Sequence, residues 1–110
     1  MSRAVATGFR LTRPLVIAHR GASAVAPEGT RAAIEAALRA GAGMVELDVQ
    51  LTRDRRLVVF HDDRLERTTN GAGRVEDATY AELARLDTGS WFDPRFANER
   101  ILLVSQAARL

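Results

Sequence analysis

An α/β fold is predicted for this 110-residue chain on three observations. Residues 15–18 (Leu-Val-Ile-Ala) and 57–60 (Leu-Val-Val-Phe) are short continuous apolar runs, the pattern of strands buried on both faces. Met44–Leu51 alternates apolar and polar residues, as a strand with one covered face does. Between the first run and the alternating strand, residues 30–40 repeat Ala33, Ile34, Ala37 and Leu38 at helical spacing. Strand, helix and strand in that order favour parallel pairing with a right-handed crossover.

Each element has its own local signals. Residues 1–14 contain Arg3, Arg10 and Arg13 and no acid, and are expected to be a flexible end. No apolar helical face makes them a transit peptide, and four apolar residues at 15–18 fall short of the ~7–15 of a secretory signal. Pro14 suits a strand start, and the run closes on His19-Arg20-Gly21. Thr30 is placed to cap the helix and Gly41 to end it. Glu35 and Arg39 form an i,i+4 pair with the acid on the favourable side.

On the alternating strand, Val45, Leu47, Val49 and Leu51 point one way and Met44, Glu46, Asp48 and Gln50 the other. Residues 53–56 are a charged turn, and the run after it ends at His61-Asp62-Asp63. So short a link normally joins antiparallel strands, which conflicts locally with a purely parallel sheet. Residues 68–73 are a turn cluster centred on Asn70-Gly71. Thr79 and Glu82 make a capping box opening a helix to about residue 86. Trp91, Phe92 and Phe96 lie in loop-like sequence and are expected to close over the end of a core. Residues 101–110 read equally as a helix or a strand.

Composition narrows the function. Hydrophobic residues are 46% and charged residues 27%, which excludes a disordered chain. No run approaches the ~18 apolar residues of a membrane span. Cysteine is absent, excluding disulfides, thiol catalysis and cysteine-held zinc. All sixteen basic residues are arginine. Residues 1–55 carry eight arginines against five acids (+3) and residues 56–110 eight against nine (−1). No basic run is long enough for nucleic acid, so the arginines read as a solvated surface. A cytoplasmic location is expected.

The chemistry-bearing residues cluster at strand ends. His19 and His61 are the only histidines, and each sits just past the C-terminal end of an apolar run. In parallel α/β architectures that edge is where sites are built. An imidazole titrating near neutrality serves as general acid or base. Arg20 offers a planar fork for two phosphate oxygens, and Gly21 permits a sharp turn or close approach. Glu46 and Asp48 share one strand face. They are either an ordinary solvated face or oxygen ligands for a hard cation such as Mg²⁺ or Ca²⁺. Together these form a kit for metal-assisted phosphoryl chemistry, one histidine activating the nucleophile and the other protonating the leaving alkoxide. No Walker loop or dinucleotide fingerprint is present.

Six stretches carry a resemblance. They are Ile17-Ala18-His19-Arg20-Gly21, Ala26-Pro27-Glu28-Gly29-Thr30, Glu46-Leu47-Asp48-Val49 with Thr52-Arg53-Asp54, and Val59-Phe60-His61-Asp62. Arg67-Thr68-Thr69-Asn70-Gly71-Ala72-Gly73 and Leu86-Asp87-Thr88-Gly89-Ser90-Trp91-Phe92 complete the set. In this order the chain resembles the glycerophosphodiester phosphodiesterases, metal-dependent hydrolases with a (β/α)₈ TIM barrel. The resemblance implies His19 and His61 as the acid–base pair, Arg20 on the phosphate, and Glu46 and Asp48 as ligands of a divalent cation (Mg²⁺ or Ca²⁺). The implied substrate is a small-molecule glycerophosphodiester from phospholipid deacylation. The implied products are glycerol 3-phosphate and a free alcohol.

Three departures from the family pattern matter. Gly29 stands where the family has Asn, and Leu102 where it usually has Pro. The third metal carboxylate belongs to a later Glu-x-Lys strand, which this chain lacks. Residues 1–110 are therefore expected to be an N-terminal part of one domain: about three strands, one long helix and the start of an inserted loop and helix region. A barrel needs about 250 residues, so an open sheet edge and self-association through it are expected, with impaired activity. The alternatives are a non-catalytic remnant or a small phosphate- and metal-binding module.

Overall fold

The computed structural model describes residues 2–6, as backbone, and residues 17–110. Four strands form one sheet: β1 (Ser2–Ala6), β2 (Ile17–His19), β3 (Met44–Leu51) and β4 (Leu57–Val59). β3 pairs with all three others. β2 lies parallel to it, with Ile17 opposite Met44 and His19 opposite Glu46. β1 runs antiparallel, from Ser2 opposite Val49 to Ala6 opposite Val45. Residues 2–6, expected to be part of a flexible end, thus have a strand register. Residues 15 and 16 of the expected first strand, and 7–14, lie outside the described residues.

β4 runs antiparallel to β3, with Val49 opposite Val59 and Leu51 opposite Leu57. The purely parallel reading fails here for a geometric reason: a five-residue link cannot make a crossover. The turn is closed by Thr52 N–H on the Arg56 carbonyl at 2.9 Å, with Arg55 in the left-handed region at φ 63°.

Helix α1 (Arg31–Arg39) follows its sequence signals closely. Thr30 Oγ1 accepts from Ala33 N–H at 3.2 Å, and Gly41 takes φ +83° beyond the last turn. Ala33, Ile34 and Ala37 are its buried residues. Ile34 and Ala37 pack with Val45, Val59, Leu102 and Ala107 as one core cluster. Val58, Phe60, Leu65, Val75, Leu83 and Ile101 form a second. Adjacent residues Val58 and Val59 enter different clusters, so β4 is buried on both faces, as its unbroken apolar run requires. β2 departs from that expectation. Ile17 is 55% exposed, because among the described residues β2 pairs with β3 alone.

Helix α2 (Tyr80–Leu83) starts on the expected capping box of Thr79 and Glu82. Leu103 is extended and bridged to Val58, and α3 (Val104–Ala107) follows. The undecided segment is therefore part extended and part helix. Trp91 is 40% exposed. Trp91, Phe92 and Phe96 stack edge to face at 5.7 and 5.8 Å instead of joining either core cluster.

Candidate active site

One face of β3 organises the site. Glu46, Asp48 and Gln50, two residues apart, project the same way. Each holds a different segment. Glu46 Oε1 lies 3.0 Å from His19 Nε2. Asp48, buried at 4% side-chain exposure, brings Oδ2 to 3.3 Å from Arg20 Nε as an ion pair without hydrogen-bond alignment. Gln50 Nε2 donates to the carbonyls of Phe60 at 3.3 Å, His61 at 3.2 Å and Asp62, fixing the backbone that carries His61.

The β2–α1 loop presents Arg20 from a strained backbone. Arg20 has φ 57° and Gly21 φ 78°, two successive left-handed residues. For arginine that conformation costs about 1–2 kcal/mol. It is held by Arg20 N–H on the Glu46 carbonyl at 2.7 Å and Gly29 N–H on the Arg20 carbonyl at 2.9 Å. Gly21 lies against α1, where a Cβ would fall 2.7 Å from the Ala33 carbonyl carbon. Gly29 is also left-handed, at φ 71°. Glycine and asparagine are the residues that tolerate this region best, which accounts for glycine standing at an Asn position of the family pattern.

His61 follows β4. Its Nδ1 lies 2.7 Å from Asp62 Oδ1. Arg67 donates to Asp62 Oδ2 from Nε at 2.7 Å and to Oδ1 from Nη2 at 2.8 Å. These bonds from Arg67, aided by His61, hold the Asp62 carboxyl down at about 2, and the two carboxylates push the Arg67 guanidinium up. Arg67 also donates to Glu28 Oε1 and Oε2, both at 3.0 Å. Glu28 Oε2 in turn accepts from Arg20 Nη1 at 3.2 Å. A continuous polar chain therefore joins His61 to Arg20.

Arg20, Glu28, Gly29, Asp48, His61 and Thr68 line one pocket. Of the residues singled out from sequence, Arg20, Asp48 and His61 meet there. His19 and Glu46 pair with each other and are not among its lining residues. Glu28, Gln50 and Arg67 have no role in the sequence reading. Glu28 and Arg67 lie inside two of the recognised motifs and Gln50 on the Glu46–Asp48 face, which was the available signal.

Two donor sets bear on metal binding. Glu46 and Asp48 present carboxylate oxygens from one strand face, the hard donors Mg²⁺ and Ca²⁺ prefer, so the donor chemistry of this set fits the implied cation, which would share Glu46 with His19 and Asp48 with Arg20. Among the described residues, Glu28, His61 and Asp62 form a group of three with ligand atoms within 4.8 Å of one another. Arg67 already sits on both of its carboxylates, so a cation there would have to displace a guanidinium.

The match to known proteins is extensive. Residues 19–110 match the family model for the glycerophosphoryl diester phosphodiesterase family. YhdW of Bacillus subtilis is 60% identical over 86 residues, 78% of this chain and 35% of that protein. A glycerophosphodiester phosphodiesterase of Caldanaerobacter subterraneus is 54% identical over 89 residues, 81% of this chain and 37% of that protein. A phosphodiesterase of Oleispira antarctica, solved with the product sn-glycerol-3-phosphate, superposes with a TM-score of 0.85 at 45% identity. It covers 87% of this chain and 39% of that one. The chain thus spans little more than a third of the length of the curated relatives it matches. Its sheet and helix are part of the TIM barrel of these enzymes. No helix among the described residues is long and apolar enough to cross a membrane. On the family match over residues 19–110, this chain belongs to the glycerophosphoryl diester phosphodiesterase family.

Proposed function

We propose that the chain carries the acid–base and phosphate-binding part of a metal-dependent site that hydrolyses glycerophosphodiesters. The products are glycerol 3-phosphate and an alcohol, and the substrates come from phospholipid deacylation in the cytoplasm. Residues 1–110 are part of one such domain. The reading is carried by the convergence of Arg20, Asp48 and His61 on one pocket, with His19 against Glu46. It is supported by likeness to an enzyme solved with sn-glycerol-3-phosphate.

Arg20 keeps N–H groups beyond those facing Asp48 and Glu28, and these bind the phosphate oxygens. His19 and His61 form the acid–base pair. One takes the proton of the attacking hydroxyl or water, and the other gives a proton to the leaving alkoxide. Glu46 and Asp48 would hold the divalent cation, which when bound supplies neutralisation of charge on the phosphate.

The chain alone is expected to turn over slowly or not at all, because the third carboxylate of the family pattern is not among its residues. Self-association through the β2 edge is the arrangement expected to raise that rate. The reading is tested at two levels. Titration with sn-glycerol 3-phosphate should move the NMR signals around Arg20 and His61, and Arg20→Ala should abolish the effect. No binding up to about 10 mM would sink the reading. Any release of glycerol 3-phosphate from glycerophosphocholine with Mg²⁺ or Ca²⁺ should vanish in His19→Ala and His61→Ala, with metal binding largely intact. Near-normal rates in either variant would refute the acid–base assignment. Robust turnover by purified monomer would refute the impairment. A module that binds without turnover would pass the first level and show no release at the second.

A further inference from the structure

We infer that Arg67 is a positioning residue for both His61 and Arg20. It fixes Asp62 so that the carboxylate receives Nδ1–H of His61 and leaves Nε2 for proton transfer, and it fixes Glu28 so that this carboxylate holds Arg20. The inference rests on the roles proposed above for His61 and Arg20.

The geometry is specific to a guanidinium. Arg67 makes two bidentate pairs at once, with Asp62 at 2.7 and 2.8 Å and with Glu28 at 3.0 and 3.0 Å. A lysine ammonium is a point charge and cannot present this planar fork. Most exposed ion pairs contribute little, but bidentate pairs joined in a network are the exception. Although Arg67 is half-exposed, its partners are not: the Glu28 side chain is 12% and the Asp62 side chain 24% exposed. The Arg67 backbone is itself anchored. Buried Leu65 accepts from both Thr69 N–H at 3.1 Å and Thr69 Oγ1 at 2.7 Å.

The tautomer follows from the charge state. An ionised carboxylate only accepts hydrogen bonds. Asp62 is ionised at neutral pH and Arg67 fixes its orientation, so the ring nitrogen facing it, Nδ1, must be the donor. In a neutral imidazole the lone pair then lies on Nε2. On the other side, Glu28 Oε2 is shared between Arg67 and Arg20 at 3.0 and 3.2 Å. Loss of Arg67 would leave that carboxylate free to turn away from Arg20.

The test reads the tautomer directly. The chain has two histidines, so imidazole ¹⁵N shifts can be assigned with a His19→Asn variant. At about pH 8.5, above the usual imidazole titration, wild-type His61 should be in the Nδ1–H form. In Arg67→Met it should move toward the Nε2–H form that unconstrained histidine prefers. Unchanged His61 shifts in a folded Arg67→Met chain overturn the inference. If that variant does not fold, Arg67→Lys decides: a smaller shift in the same direction supports the inference, and none overturns it.

Kinetics supply a second readout. Asp62→Asn should lower kcat and Glu28→Gln should raise KM for glycerophosphocholine, each about tenfold or more, while Arg67→Met does both. A uniform fall in kcat with unchanged KM in all three would mark a merely structural role and overturn the inference. Absence of turnover in the wild-type chain is the outcome already expected for it and bears on neither inference, and the His61 tautomer alone would then decide the role of Arg67.

Discussion

Gly21 is the position where one methyl group should separate local fit from backbone preference. At φ +78°, any residue with a Cβ costs about 1–2 kcal/mol more than glycine. The Cβ of alanine would also fall 2.7 Å from the carbonyl carbon of Ala33, 2.8 Å from its oxygen and 2.9 Å from its Cβ. Two of those three atoms are backbone of α1, which cannot swing aside as a flexible side chain would. Overpacking of this kind costs about 1–3 kcal/mol. Gly21→Ala should therefore destabilise the chain by about 2–5 kcal/mol, a large share of the ~5–15 kcal/mol of an ordinary small domain. Gly41→Ala is the matched control. It has φ +83° but nothing within 4 Å of the added carbon, so it should lose only the backbone part, about 1–2 kcal/mol. Urea unfolding followed by circular dichroism, with m held common, measures both. The Gly21 variant should also shift the amide signals of Arg20 and Ala22, since Ala22 N–H donates to the Ala33 carbonyl at 2.8 Å. Equal midpoints for the two variants would refute the reasoning that the β2–α1 loop is held against the helix by this contact.

Three further outcomes follow from the site and its supports. The Asp62 carboxyl is lowered to about 2, first by its hydrogen bonds from Arg67, so its stabilisation is complete above about pH 4 and is lost as pH falls through 2. The drop from the ordinary 3.8 to about 2 sets an upper bound of about 2.5 kcal/mol, reduced by solvent at this partly exposed pair. Asp62→Asn should be less stable at pH 7 and flatter between pH 4 and 2, and parallel stability curves would contradict this. Glu46→Gln and Asp48→Asn should each weaken Mg²⁺ or Ca²⁺ binding at least about tenfold by calorimetry, and unchanged affinity in both would remove them as ligands. Thr30→Ala removes the N-cap bond to Ala33 and the donation of Oγ1 to the Pro27 carbonyl at 2.7 Å. It should cost about 1–2 kcal/mol by thermal or urea unfolding, and a loss below about 0.3 kcal/mol would show that the cap is dispensable.

Much of the local structure was legible because its causes are local. Helix α1 begins where Thr30 can cap it and ends where Gly41 can turn left-handed. β3 has the expected bounds, set by period-two alternation. The capping box at Thr79 and Glu82 is present as spaced. Other features depended on partners distant in sequence. The exposure of Ile17 follows from what covers β2, and pairing of Ser2–Ala6 with β3 has no signal in composition. Residues 101–110 were ambiguous because Leu103 is held by a bridge to Val58, 45 positions earlier, immediately before α3 begins.

For the site, the sequence by itself determined the chemical inventory. Two histidines stand at strand ends, Arg20-Gly21 follows one of them, and two carboxylates share a strand face. Motif order and strand periodicity are one-dimensional properties, so they could be read without coordinates. Only the tertiary structure decided how that inventory is connected. It paired His19 with Glu46 and Arg20 with Asp48, and it brought His61 to the same pocket as Arg20. It also joined Glu28 to Arg67 across 39 residues of chain. The reason is that hydrogen bonds and ion pairs act over about 3 Å, a distance set by packing of β3, β4 and the loops around them and not by separation along the chain.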